Sequence, residues 1–310
     1  MQIICTGASG LVGSNFVESA VRRGHKVAAL CNSSDFAAPA GVEVVRTDLT
    51  DTRALERLVI DRFPDAIVNC AAMSRPLEVD ADPARANLMN AVMPERLAQL
   101  ANHVSARLIH LSTDMVFDGT AAPYKNTDVP SPANLYGQTK LLAEKAVLKY
   151  AAPLSVVLRI SHVCGNGPSG RRSFNEKLFS TWAQGRKIRL NDNEIKRFLS
   201  AGRLADLLVE LAERPNISGI YHYCGLDSLS YYEAGVGICE FFGLDPEKHI
   251  ERASLPERRD FTLDMSCLAD KVKTPSSPFS ELLLEMKVPD ACAQWYENET
   301  GRRQVKRYKL

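Results

Sequence analysis

Short runs of apolar residues alternate with amphipathic stretches over the first half of the chain. The apolar runs lie near residues 2–6, 26–31, 43–46, 65–70, 106–112 and 154–160. Helical patterns separate them near residues 10–24, 52–63, 82–103 and 131–150. Near-continuous apolar runs indicate strands buried on both faces, and strands that alternate with helices form parallel sheets. We therefore predict an α/β fold built on a doubly wound parallel sheet.

The alternation weakens after Gly165. Residues 174–185 and 202–213 have helical patterns, and residues 187–190 and 219–224 have extended ones. We predict that residues 1–165 form the sheet domain and that residues 166–310 form a smaller lobe. Because some of these later segments are strand-like and apolar, we expect the lobe to be interleaved with the sheet and to return segments to it.

A glycine-rich turn joins the first predicted strand to the first predicted helix. Gly7, Gly10 and Gly13 have the spacing that lets a chain reverse tightly, approach a pyrophosphate closely and pack a helix against the sheet. The helix N-terminus attracts the anion. The turn predicts a Rossmann-type dinucleotide site, with Ser9, Leu11 and Val12 completing the contact. A tight turn without a ligand is the alternative.

The end of the second predicted strand bears on the choice of coenzyme. An NAD-selective site places a carboxylate there for the ribose 2′-hydroxyl, whereas this chain has Cys31, Asn32 and Ser33. We therefore favour NADP, with NAD as the alternative, although no arginine in this loop supplies a counter-charge. Asp48 and Leu49, after the third apolar run, are candidates for the adenine contact.

Three side chains could surround one reacting carbonyl. Tyr136 and Lys140 are four residues apart in a helical pattern and so project from one face. A nearby ammonium favours the phenolate, so we expect Lys140 to lower the pKa of Tyr136 toward the range useful for acid–base catalysis. Thr113 follows an apolar strand, where its hydroxyl could donate to a carbonyl oxygen. An ordinary half-buried tyrosine and a solvated lysine are the alternative for the pair alone.

Together these motifs resemble the extended short-chain dehydrogenase/reductase superfamily. The segments around Asn69, Ser112 to Gly119, Tyr136 to Lys140 and Leu158 to Ser161 are most similar to dTDP-4-dehydrorhamnose reductases. The resemblance implies that Thr113 polarises the ketone, that Tyr136 donates the proton and that Lys140 binds the nicotinamide ribose. Adjacent strand residues face opposite ways, so Thr113 rather than Ser112 is expected in the site. The resemblance also implies cofactor contacts from the following residues: Cys70, Ala71, Ala72 and Asn87.

The chain departs from the reductase pattern where the resemblance would place substrate. Met73, Met115 and His162 stand where histidine, tyrosine and tryptophan are common in that family, and Ser74 adjoins Met73. The sugar pocket is therefore expected to be altered, although the methionines could serve only in packing and His162 as a structural hydrogen-bonding residue. Arg197 is a candidate ligand for a substrate diphosphate, with Arg171 and Arg172 as rivals.

The function implied is reduction of the C4 ketone of a nucleotide-linked 4-dehydro-6-deoxyhexose with NAD(P)H. Sugar-nucleotide 4-epimerases and dehydratases share the same three residues. Dehydration needs an added carboxylate near the hydroxyl, and Asp114 is expected to face away. A non-catalytic alternative is an NADP-binding regulatory subunit, because this subfamily also resembles the accessory subunit of methionine adenosyltransferase.

Composition narrows the classes further. The 38 basic and 37 acidic residues leave a net charge of +1, so no global field favours nucleic acid or a membrane surface. Eight cysteines without a close Cys-x-x-Cys pair, and the absence of a secretory or long apolar segment, predict a reduced, cytoplasmic protein. No cluster has metal-ligand spacing, so no metal is expected. Homodimer formation is left open.

Overall fold

The computed structural model describes residues 1–32 and 36–302. Ser33, a predicted coenzyme contact, lies outside these residues. The strands in the described part of the chain are β1 (Gln2–Thr6), β2 (Lys26–Cys31), β3 (Glu43–Arg46), β4 (Ala66–Asn69), β5 (Arg107–Thr113), β6 (Ser155–Ile160), β7 (Val163–Cys164), β8 (Ile188–Asn191), β9 (Glu194–Lys196), β10 (Leu199–Ser200), β11 (Gly219–Tyr223), β12 (Leu229–Ser230), β13 (Ile250–Ala253) and β14 (Arg259–Asp260).

Helices connect and cover these strands. The α-helices in the described ranges are α1 (Leu11–Arg22), α2 (Thr52–Arg62), α3 (Pro76–Ala81), α4 (Pro83–Asn87), α5 (Met93–His103), α6 (Leu135–Ala151), α7 (Phe174–Trp182), α8 (Ala201–Glu213), α9 (Tyr231–Phe241), α10 (Pro246–His249), α11 (Ser266–Ala269), α12 (Phe279–Glu285) and α13 (Ala293–Thr300). A π-helical turn, Leu88–Val92, joins α4 to α5. Short 3₁₀ turns occupy Asp114–Val116, Ala152–Leu154 and Asp290–Cys292.

A parallel sheet organises the molecule, as the sequence pattern predicts. Within the described residues its strand order is β11-β6-β5-β4-β1-β2-β3, and each neighbouring pair is parallel. The order reverses between β1 and β4, so loops after these strands open a crevice at the carboxyl edge. The predicted Rossmann-type fold is confirmed.

Alternate residues of each strand enter separate cores on the two sheet faces. Ile3 and Cys5 pack with α1 and α8, while Ile4 packs on the side of α2, α5 and α6. Both faces are therefore covered, which explains why the strands are apolar without alternation. One consequence is that any polar side chain on a central strand must find a partner inside the protein.

The later part of the chain contributes to both lobes. β11 extends the central sheet beside β6, and α8 packs along α1 through Leu204, Leu208 and their neighbours. The remaining strands of the described residues form three small sheets, which are β7 with β10, β8 with β13, and β9 with β12 and β14. The boundary at residue 165 therefore stays a prediction, because chain on both sides of it contributes to one sheet.

Two features bear on membranes and metals. In residues 1–32 and 36–302, no helix is both long and apolar enough to cross a membrane. Over the same ranges, no group of three or more His, Cys, Asp or Glu side chains is placed to hold a metal ion.

Candidate active site

The glycine turn packs so tightly that side chains are excluded from it. Gly7 has a φ of +66°, and a Cβ there would lie 2.8 Å from Ala71 Cα. A Cβ on Gly13 would lie 2.3 Å from the carbonyl oxygen of Gly7. Gly10 is the N-cap of α1. It has no side chain that could accept hydrogen bonds from the first backbone N–H groups of the helix.

The first turn of α1 is suited to an anionic ligand. Of the residues that the structure describes, none in this first turn, which begins at Leu11, is acidic. No side chain of the turn therefore neutralises the positive end of the helix dipole. Cys70 and Ala71 form the wall beside Gly7. This cradle fits a dinucleotide pyrophosphate, and Gly7, Gly10, Leu11, Val12 and Gly13 are the residues that would hold it.

At the adenosine end, the structure adds a residue that the sequence argument missed. Arg46 ends β3 in register with Cys31, and its Nη1 donates to the backbone oxygen of Asn32 at 3.3 Å. The neighbouring strand therefore brings a guanidinium to the end of β2. The signal was available in the sequence, because Arg46 is the last residue of the third run and Asn32 directly follows the second.

The other predicted adenosine contacts have local roles. Ser9 hydrogen-bonds to the Cys31 thiol, while burial raises the pKa of that thiol. Asp48 is exposed and accepts hydrogen bonds from the backbone and hydroxyl of Thr50, which lower its pKa. Leu49 is buried in the core on the α2 side of the sheet. An adenine contact from Asp48 and Leu49 stays a prediction.

The structure brings Thr113 and Tyr136 together. Burial raises the pKa of Tyr136 well above its ordinary value, the negative charge of Asp114 raises it further, and a hydrogen bond with the Thr113 side chain opposes the rise. Ser112 points the other way and donates to Glu144 Oε1 at 2.5 Å. The alternation argument for choosing Thr113 over Ser112 agrees with this geometry.

Lys140 does not act on Tyr136 as expected. It is buried on the same helix, and burial lowers its pKa to about 8. Its Nζ lies 3.4 Å from His110 Nε2, and the groups that shift the pKa of Tyr136 do not include it. The expectation that Lys140 lowers the phenol pKa is therefore wrong for the protein alone, because burial and Asp114 dominate the phenol's surroundings.

Asp114 also differs from expectation, since its carboxylate does not face away. Oδ1 accepts from the Thr113 hydroxyl at 3.2 Å, and Oδ2 accepts from Ser161 Oγ and from Lys196 Nζ, each at 3.0 Å. Lys196 lies on β9 and also contacts the Phe261 ring, 3.7 Å from its centroid. The carboxylate is thus occupied as an acceptor beside the site. The expectation that Asp114 faces away, which had counted against dehydration, is therefore wrong.

The asparagine of the neighbouring helix is Asn90 rather than Asn87. Asn87 is exposed at the end of α4, whereas Asn90 is fully buried in the π-helical turn. The Asn90 amide accepts from the backbone N–H of Met73 at 2.8 Å and donates to the Met73 oxygen at 3.0 Å and to Thr139 Oγ1 at 3.2 Å. It therefore fixes the strand-end segment against α6, below Tyr136.

The predicted substrate residues are distributed around this centre. Met73 and Met115 pack against Tyr136, and Ser74 is exposed beside them. His162 accepts or donates a hydrogen bond at 3.0 Å with the Tyr231 hydroxyl, and burial lowers its pKa to about 4. The surrounding rings are Phe174, Phe198 and Tyr231. His162 is thus a neutral member of an aromatic cluster.

Arg197 is engaged by the protein itself. Its Nε donates to Ser228 Oγ at 3.1 Å, and its Nη1 donates to the oxygen of Leu263 at 3.3 Å. Arg171 and Arg172 are exposed on the loop before α7. A phosphate contact from any of the three stays a prediction.

The chain is similar to known proteins in both sequence and structure. The family described as "RmlD substrate binding domain" matches residues 1–270. Methionine adenosyltransferase 2 subunit beta of Xenopus laevis is 36% identical over 208 residues, which are 66% of this chain and 62% of that protein. The chain therefore spans less than two thirds of the length of that relative.

Two further likenesses lie on the reductase side. The dTDP-4-dehydrorhamnose reductase of Mycolicibacterium smegmatis is 32% identical over 249 residues, 80% of this chain and 71% of that one. The crystal structure of a hypothetical dTDP-4-dehydrorhamnose reductase from Sulfolobus tokodaii superposes with a TM-score of 0.80 at 28% identity. That superposition covers 93% of this chain and all of the other.

Proposed function

The chain belongs to the RmlD substrate binding domain family, and from this membership we propose that it reduces the C4 ketone of a nucleotide-linked 4-dehydro-6-deoxyhexose with NAD(P)H. The observation that carries the proposal is the approach of the Thr113 side chain to the buried phenol of Tyr136, which Met73 and Met115 flank. The name of the Mycolicibacterium relative supports the substrate class.

The cofactor residues favour NADPH. A bound nicotinamide coenzyme would supply the hydride, and the first turn of α1 would hold its pyrophosphate. At the end of β2 the chain has Cys31 and Asn32 in place of a carboxylate, and Arg46 places a positive charge beside them. An arginine and the absence of an acid suit a 2′-phosphate, which an NAD-selective carboxylate would repel.

The chain's own residues then account for the proton and the developing negative charge. Because burial and Asp114 raise its pKa, Tyr136 stays protonated and can donate to the ketone oxygen as charge develops there. Thr113 can turn its hydroxyl from Asp114 toward the same oxygen and stabilise it. Met73 and Met115 pack beside Tyr136, and these apolar neighbours suit the methyl group of a deoxysugar.

A substrate-panel absorbance assay tests the proposal directly. Purified protein should oxidise NADPH faster than NADH when dTDP-4-dehydro-6-deoxyhexose is added. Tyr136→Phe should keep coenzyme binding and lower turnover by about 10²- to 10⁴-fold, because the proton donor is lost. Tyr150→Phe, near the other end of α6, is the matched control and should retain activity.

A second candidate function rests on the 36% identity to methionine adenosyltransferase 2 subunit beta. In that role the chain would bind a methionine adenosyltransferase catalytic subunit. Sedimentation of the two purified proteins together measures this binding. Absence of turnover across a panel of nucleotide-linked ketosugars, combined with a stable complex, would favour the accessory role over the reductase.

A further inference from the structure

A row of buried polar side chains runs under the crevice. Thr6, Asn69 and His110 lie opposite one another on β1, β4 and β5, and Lys140 of α6 lies at the end of the row. Thr6 Oγ1 donates to Asn69 Oδ1 at 2.6 Å, Asn69 Nδ2 lies 3.0 Å from His110 Nδ1, and His110 Nε2 lies 3.4 Å from Lys140 Nζ. Each side chain is at most 3% exposed.

The orientation of the Asn69 amide determines where His110 carries its proton. Asn69 Oδ1 accepts from the Ala71 backbone N–H at 3.2 Å and from the Thr6 hydroxyl. Since the amide oxygen is used on this side, the NH₂ group faces His110 and donates to Nδ1. A neutral imidazole that accepts at Nδ1 carries its hydrogen on Nε2. That N–H points at the Lys140 amine.

We propose that His110 is a positioning residue that presents its Nε2–H to Lys140 and favours the neutral, hydrogen-bond-accepting form of the lysine in the free protein, so that at alkaline pH binding of the anionic coenzyme adds a proton to Lys140. This inference rests on the proposed coenzyme site. An ammonium cannot accept a hydrogen bond, so the charged form of Lys140 faces an opposing donor at His110. A coenzyme that brings negative charge and ribose hydroxyls to the crevice favours that charged form.

The other groups around Lys140 raise or lower its pKa, and together they allow both its neutral and its charged form. Burial lowers its pKa to about 8, while Glu144 on α6 and the Cys70 thiol after β4 raise it. Glu144 is paired with Arg159 at 2.7 Å, which limits its support for the ammonium. Tyr136, also on α6, is buried and stays protonated. Burial holds the pKa of His110 well below its usual value, so the imidazole is neutral whether or not Lys140 is charged.

Coenzyme binding is expected to weaken as the pH rises. The pKa of Lys140 is about 8 in the free protein, and the coenzyme's charge raises it in the complex. Proton uptake on binding is then greatest above about pH 8, and coenzyme affinity falls there by up to about tenfold per pH unit.

Nitrogen NMR of histidine-labelled protein without coenzyme tests the first half of the proposal. The signals of His110 are identified by their loss in His110→Gln. We expect the neutral Nε2–H tautomer at about pH 9, where Lys140 is mainly the neutral amine that accepts this hydrogen bond. An Nδ1–H tautomer or an imidazolium would overturn the proposal. The measurement is made on the wild type and does not require enzyme activity, and His110→Gln is needed only to assign the signals.

Calorimetry tests the second half. NADPH binding is measured at about pH 8.5 in two buffers of different ionisation enthalpy, which gives the number of protons taken up. The wild type should take up more than half a proton, and His110→Gln should reduce that uptake at least twofold. His222→Gln is the matched control, because His222 is another buried sheet histidine, in contact with Arg159 rather than Lys140.

The outcomes are distinguishable. Equal proton uptake by the wild type and His110→Gln would overturn the proposed role of His110, even if NADPH binds well. If neither NADPH nor NADH binds, the proposed function and proton uptake both fail, while the NMR tautomer still decides the orientation of His110.

Discussion

At the scale of single residues, Arg46 is expected to decide coenzyme preference. Removing it in Arg46→Ala should weaken NADPH binding by about 10- to 100-fold, because a charge-assisted hydrogen bond contributes about 1.5–3 kcal/mol. NADH binding should change little, since NADH has no 2′-phosphate. Fluorescence titration of both coenzymes measures the two affinities.

Arg57→Ala removes an exposed arginine from α2 and serves as the control for charge alone. A parallel loss of NADPH and NADH affinity in Arg46→Ala would instead indicate damage to the end of β2, where Arg46 contacts the backbone of Asn32.

Sequence reasoning identifies residues best where a simple periodicity applies. Alternation along β5 separates Thr113 from Ser112, and the i to i+4 spacing places Tyr136 and Lys140 on one helix face. The same reasoning does not reach the electrostatics. Whether Lys140 acts on Tyr136 or on His110 depends on which buried partners lie within a few ångströms, and those partners come from strands far apart in the chain.

At the scale of elements, β9 is joined to the end of β5 by the buried pair of Lys196 and Asp114. Lys196→Met should lower the free energy of unfolding by about 3–5 kcal/mol, because it leaves the Asp114 carboxylate buried without its cation. Urea denaturation measures the change.

The double variant Lys196→Met with Asp114→Asn provides the control, since it removes the buried charge as well. It should recover a substantial part of the lost stability. A double variant no more stable than Lys196→Met alone would show that packing around Phe261, and not the unpaired charge, accounts for the loss.

Element boundaries show where periodicity is insufficient. A single helix over residues 82–103 is predicted from the pattern, but the structure has α4, a π-helical turn and α5 in its place. The single π-helical turn contains one more residue than an α-helical turn. Each residue after it therefore lies on a different face of the helix from the one that a constant period predicts. This change explains why Asn87 is exposed and Asn90 is buried, a distinction that a constant 3.6-residue period cannot make.

The predicted helix near residues 131–150 begins later than expected. Its first helical residue is Leu135, and the Asn134 side chain accepts a hydrogen bond from the Gly137 N–H as an N-cap. Asparagine is a preferred N-cap, so this boundary was within reach of the sequence.

At the scale of the whole molecule, acid stability is expected to depend on Asp118. Its carboxylate accepts hydrogen bonds from Thr120, Tyr124 and Ser131, and those from Thr120 contribute most to lowering its pKa to about 2. Because the folded pKa lies below the unfolded value of about 3.9, this stabilisation is full above about pH 4 and is lost as the pH falls toward 2.

Asp118→Ala should therefore lower the free energy of unfolding by about 0.5–1.5 kcal/mol at about pH 7, because water screens this partly exposed carboxylate, and the difference from the wild type should shrink as the pH approaches 2. Chemical denaturation at both pH values measures it. Asp61→Ala, on the exposed part of α2, is the control. A difference that stays constant with pH would show that the Asp118 carboxylate is not responsible.

The contribution of β11 and α8 to the N-terminal half limits how this protein can be recombined with its relatives. β11 hydrogen-bonds along β6, and α8 covers α1. In a chimera spliced once at residue 165, the β11 and α8 of a relative would have to pack against the β6 and α1 of this chain. Exchanging specificity between family members thus calls for two crossover points, so that residues 201–223 stay with the host and only the flanking loops and small sheets are transplanted.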